Sequence, residues 1–120
     1  SKDARAMLGR LLIFNDMEIV IAHKDIDAFV ESLEDSALGK ALRVLALLRS
    51  VGYALGLPYV RQLGRGLSEL RIRYRQEVRI FFAYRDGRVV LLHGFIKKTM
   101  RIPPRELDLA RKRLAAFDKA

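Results

Sequence analysis

From Leu67 to Lys98 the order of apolar and polar residues reads as three consecutive strands. Leu70, Ile72 and Tyr74 alternate with Glu69, Arg71, Arg73 and Arg75, a period of two that turns one face to a core and the other to water. Residues 78–84 and 89–96 are strongly β-prone runs separated by Arg85-Asp86-Gly87-Arg88. Asp-Gly between two apolar runs predicts a type I′ hairpin, because that turn needs positive φ at both central positions. A two-residue turn there sets Arg79 opposite Gly94, with Lys98 displaced along the neighbouring strand on the same face. It also sets His93 on the face of Ile80, Phe82 and Leu91. A glycine opposite Arg79 leaves room for a ligand to approach the backbone.

Upstream, residues 18–22 (EIVIA) predict a strand. Residues 1–16 read as a leader or as an extra strand, with 11–14 turned back by Asn15-Asp16, and residues 17–120 as a single domain. Asp25 is placed to cap a short helix whose apolar face is Ile26, Phe29, Val30 and Leu33. Glu34-Asp35-Ser36 recaps a second helix carrying Leu38, Leu42, Val44, Leu45, Leu47 and Val51, with Gly52 or Gly56 placed to end it. Leu57-Pro58 opens an extended connection. After the sheet, Pro104 suits the first turn of a helix whose apolar positions are Leu107, Ala110, Leu114 and Phe117. The chain is therefore read as α+β: a small antiparallel sheet of about four strands, an N-terminal αα-hairpin packed on it, and a C-terminal helix, with helices covering one sheet face.

Charge changes this picture. Residues 1–57 hold seven Lys/Arg against eight Asp/Glu, whereas residues 58–120 hold sixteen against six, so nearly all of the net +9 belongs to the strand-rich half. A one-sided field of this size points to an acidic partner, with nucleic acid first and an acidic protein next. The absence of cysteine excludes disulfides and thiolate–metal sites, and suits a reducing cytosol. No apolar run approaches the ~18 residues of a membrane span, and no signal peptide is evident. No metal or cofactor is expected.

Four motifs in order, GLSELRIR at 66–73, VRIFF at 78–82, LHGFIKKT at 92–99 and PPRELDLARKR at 103–113, resemble the RelE/ParE toxin superfamily. They are closest to its HigB-like branch, the phage-derived Gp49-like proteins. Ser68 departs from the usual aromatic residue before Glu-Leu-Arg. The resemblance implies a RelE/ParE-like fold and a bacterial or prophage-encoded cytoplasmic toxin of a type II toxin–antitoxin system. It further implies metal-independent mRNA cleavage on the ribosome. The implied partner is a cognate helix-turn-helix, HigA-like antitoxin, bound in a heterotetramer. Relatives resembling ParE instead inhibit DNA gyrase without cutting.

Metal-independent RNA cleavage needs a group to take the 2′-OH proton, cations to hold the charge building on the phosphoryl oxygens, and an acid for the leaving oxygen. Arginine grips a phosphate bidentately and stays charged. By the resemblance, Arg79 occupies the place of the strand arginine near the scissile phosphate, and Arg71, Arg73 and Arg75 grip RNA. Glu69 is read as the ion-pair partner of Arg71 or Arg73. Lys97 and Lys98 end the last strand where relatives carry basic catalytic residues, and adjacent cations lower each other's pKa. His93 has the intrinsic pKa for acid–base work, although its expected face is the core side. Tyr74 and Tyr84 read as core, and 111–113 (RKR) as a solvated helix face. Three readings compete: a ribosome-dependent endoribonuclease, a non-enzymatic gyrase-binding toxin, and an inactive RNA-binding relative.

Overall fold

The structure, a computed structural model, describes residues 16–120; the strand expected at 11–14 lies outside them. The elements run β1 (Glu18–Ile21), α1 (Lys24–Glu31), α2 (Asp35–Val51), a 3₁₀ turn (Gly52–Ala54), β2 (Val60–Gly64), β3 (Leu67–Arg73), β4 (Glu77–Arg85), β5 (Arg88–Ile96) and α3 (Pro104–Lys119). One five-stranded sheet has the order β1-β5-β4-β3-β2. β1 joins β5 in parallel and the other pairs are antiparallel.

The Asp86-Gly87 turn has positive φ at both residues, 52° and 72°, as a type I′ turn requires. A second such turn, Arg65-Gly66 at 49° and 76°, folds β2 back onto β3. The segment expected to be a plain connection is thus a fifth strand, short, mostly exposed and at the sheet edge. Its sequence, VRQLG, lacks the apolar run that marks a strand.

Helices cover both faces of the sheet, not one. On the first face α1, α2 and the turn between them bring Ile26, Leu33, Ala37, Val44 and Leu48 onto Leu70, Ile72, Val78, Ile80, Phe82, Val89 and Leu91. On the second, Ala110 and Leu114 of α3 pack with Leu67, Phe81, Ala83, Val90, Leu92 and Phe95. β4 and β5 are apolar on both sides, so each face needs cover.

Local chemistry fixes the helix ends. α1 is capped by His23, whose Nδ1 accepts from the Asp25 amide at 3.1 Å; Asp25, the expected cap, lies in the first turn. Glu34 precedes α2 without a side-chain cap bond, and Gly52 ends it at φ +70°, where a Cβ would meet the Met17 sulfur at 3.2 Å. Pro104 opens α3. The 111–113 run is only partly solvated. Arg113 donates to Leu92 O and to Asp25 Oδ2, each at 3.0 Å, and Arg111 donates to Gly64 O at 3.2 Å.

Candidate functional site

The register of β3, β4 and β5 arranges the chemistry. A bulge between Phe81 and Phe82 shifts the pairing beyond the turn: Phe82 faces Leu91, but Phe81 faces His93 and Arg79 faces Phe95. Three adjacent rows result on the face carrying α3: Glu69, Phe81 and His93; Arg71, Arg79 and Phe95; and Arg73 and Glu77. Lys97 extends the last row, its amide donating to Glu77 O at 2.8 Å.

Three expectations are corrected by that bulge. Arg79 stands opposite Phe95, not Gly94. Lys97, not Lys98, lies beside the arginine rows. His93 joins Phe81 and Phe95, stacking on the latter with centroids 5.7 Å apart and planes at 12°, not Ile80, Phe82 and Leu91. The space over Gly94 is filled by Phe29 of α1, so no ligand approaches the backbone there. A glycine inside an apolar strand is itself a bulge signal, and it was the sequence's one hint of the shift.

Arg79 is 2% exposed. Its Nη1 lies 2.9 Å from Glu77 Oε2 and donates to Val78 O at 3.2 Å, while its Nε stands 3.6 Å from Glu69 Oε2. Glu69 is equally buried, and the facing Nε and Oε2 atoms make no hydrogen bond. Arg71 continues the network, its Nε 3.8 Å from Glu69 Oε1 and likewise without a hydrogen-bond partner. Arg73 pairs with Glu77 at 3.4 Å. Partial burial pushes the Glu77 carboxyl up, but the hydrogen bond and charge of Arg79, with Arg73 adding to them, outweigh it and hold Glu77 below its ordinary range. Alternating carboxylates and guanidiniums make burial of this charge tolerable.

His93 shares a hydrogen bond with Glu106, in the first turn of α3. The two side chains are 14% and 16% exposed, and Arg105 flanks the other Glu106 oxygen at 3.4 Å. Sequence spacing gave no sign of this pair, because its members lie on a strand and on a helix from beyond the loop. Among the described residues, no group of three or more histidine or carboxylate side chains is placed to hold a metal ion.

The remaining candidate cations, Arg75, Lys97 and Lys98, lie at the end of the sheet where β3 turns into β4 and β5 ends. Arg75 is in the β3–β4 turn, its guanidinium 5.9 Å from the Tyr74 ring centre. Tyr74, expected in the core, is exposed there because β3 ends at Arg73. Lys97 donates to Met100 O at 2.9 Å, and Lys98 is exposed. Tyr84 is half-buried against the first-face core, and burial pushes its hydroxyl pKa up, with Tyr53 adding to the effect.

A family model described as phage-derived protein Gp49-like (DUF891) matches residues 28–115, from α1 through most of α3. That family is associated with RelE/ParE-like toxins. No curated protein matches the chain. No helix among the described residues is long and apolar enough to cross a membrane.

Proposed function

The chain belongs to the phage-derived Gp49-like family, and from that toxin-like membership we propose that it is a type II toxin that cleaves mRNA on the ribosome without a metal. The supporting observation is the row arrangement: Arg71, Arg73, Arg79, His93 and Lys97, distant in sequence, stand in adjacent rows on one sheet face. In this reading the solvent-facing cations Arg73, Arg75, Lys97 and Lys98 hold the RNA phosphates, where charge develops in the transition state. His93, paired with Glu106, moves the proton. Arg79 holds Glu69 and Glu77 in place, since a guanidinium this buried and paired has no phosphate to meet. A helix-turn-helix antitoxin with an acidic segment laid over the cationic rim is the matching inhibitor.

The buried, ion-paired Arg79 also favours a second reading. A toxin whose strand arginine is structural needs no phosphate clamp, as in ParE-like gyrase inhibitors. The two are separated by incubating a defined mRNA with the purified chain, with and without translating ribosomes, alongside Arg73→Ala and Lys97→Ala. Cuts that require ribosomes and fade in both variants are expected. Growth arrest by a chain that cuts nothing transfers the case to gyrase.

A further inference from the structure

Beside the cationic rows, at the outer edge of β3, the sheet opens into a cleft of about 200 Å³ lined by Lys40, Pro58, Tyr59, Arg71 and Arg73. β2 begins at Val60, so the end of β3 has no regular strand beside it. The Arg71 amide donates to Tyr59 O at 2.7 Å, which fixes Tyr59 next to Arg71. Lys40 crosses from α2 to donate to Arg73 O, closing the far wall.

Three cations meet an aromatic ring and a proline in this space. Tyr59 is 36% exposed, although it belongs to no buried cluster that would explain a tyrosine at this place. The Arg71 Nε lies buried 3.8 Å from Glu69 Oε1 without a hydrogen-bond partner, so the side chain lines the cleft from the edge of the ion-pair network. Drug-sized ligands occupy about 300–1,000 Å³; a smaller cleft suits one planar group with its charged substituent outside. Two strand spacings, about 10 Å in all, separate β5 from β3, so one RNA strand that reaches His93 can also reach this edge.

We infer that this cleft is a single-stranded RNA subsite in which one base stacks on Tyr59 against Pro58 while Lys40, Arg71 and Arg73 hold the flanking phosphates. Stacking platforms with cations beside them are how single strands are gripped without base pairing. An acidic peptide could satisfy the cations but would leave the ring unused. The inference rests on the nuclease reading for its substrate class and adds the place where the strand is held away from the reacting bond.

The test uses a fluorescein-labelled RNA trinucleotide with 2′-deoxy positions, which cannot be cut, and measures binding by anisotropy. Tyr59→Ala is expected to weaken binding roughly tenfold, and Tyr59→Phe to bind as wild type, since only the ring is used. Lys40→Met is expected to lower the slope of log affinity against log salt by about 0.7. Unchanged binding by Tyr59→Ala overturns the subsite. So does an oligo-glutamate peptide that binds with the same dependence on Tyr59. Cleavage is scored separately on ribosomes. Tyr59-dependent binding by a chain that never cuts keeps the cleft and removes the nuclease. Cutting by a chain whose Tyr59→Ala variant binds normally does the reverse.

Discussion

Phe29 occupies the space that a side chain at Gly94 would need: a Cβ built there falls 2.4 Å from the Phe29 ring. One glycine thereby lets α1 sit down on β5 at the place where the strand has just passed its bulge. Gly94→Ala is expected to destabilise the fold by about 1–3 kcal/mol, the usual cost of forcing an extra carbon into a filled space. Adding Phe29→Leu should recover part of that loss. A double-mutant cycle in urea checks it, and independent, additive effects would show that Phe29 is not the obstacle.

Glu69 and Arg79 present the opposite situation, two charges buried against each other with imperfect geometry. Removing one partner strands the other in a low-dielectric site. Glu69→Ala or Arg79→Ala should therefore cost about 3–5 kcal/mol. Replacing both, as Glu69→Leu with Arg79→Met, should cost less than either single change, because neither member of the buried pair is left facing a missing partner; the residual cost falls on Arg71, which loses Glu69. Thermal unfolding of the three variants decides. If Arg79→Ala proves fully stable, the guanidinium is not held as a structural cation, and its assignment as a phosphate clamp revives.

How much of this was legible beforehand differs element by element. The β4–β5 turn was readable because Asp86-Gly87 carries its own backbone requirement, and α2 because its apolar spacing spans several turns. β2 was not, since five residues with two polar positions and a glycine form a strand only when Arg65-Gly66 aligns them on β3. The two-sided cover of the sheet was written in β5, where Val89 and Leu91 alternate with Val90 and Leu92 and all four are apolar. The candidate residues were named from the chain, but their arrangement was not. One bulge at Phe81–Phe82 moved His93 to the other face and exchanged Lys98 for Lys97. Glu106 went unnoticed because the loop before α3 sets which strand residue it meets.

The pH dependence of stability follows from Glu77. Its folded pKa lies below the ordinary value of 4.5, so it contributes stability that is fully present above that value and lost as pH falls through the folded pKa. The side chain is more than one-third exposed, so solvent screens the pair and the effect is modest. Comparing wild type with Glu77→Gln in urea, the stability difference should be largest near neutrality and shrink through the acid range. A difference that holds constant down to acid pH would assign the stabilisation to hydrogen-bond shape, not charge.

The His93–Glu106 bond ties α3 to β5 as well as placing the imidazole. Breaking it should loosen the first turn of α3 before anything else. His93→Gln and Glu106→Gln are expected to be coupled by roughly 1.5–3 kcal/mol, as for hydrogen bonds that involve a charged group. Faster amide hydrogen exchange should be confined to the start of α3. Exchange that quickens across β3 and β4 as well would mean the pair supports the whole face. If catalysis is lost in Glu106→Gln without either change, the carboxylate acts on the imidazole and not on the helix.

If the chain is a nuclease, salt dependence separates the cations that reach RNA from those that only build the site. Each phosphate neutralised on a single strand contributes about 0.7 to the slope of log affinity against log salt. Arg73 and Lys98 both face solvent, so Arg73→Ala and Lys98→Ala should each flatten the slope by about that amount. The Glu69→Leu, Arg79→Met pair removes one charge of each sign beneath the surface and should leave the slope unchanged. Lys97 lies between these cases, because its ammonium already donates to Met100 O. A full decrement in Lys97→Ala would show that RNA displaces that bond, whereas none would confine Lys97 to holding the loop before α3. If the buried pair flattens the slope as much as Arg73→Ala does, the sheet opens when RNA binds and Arg79 meets a phosphate after all.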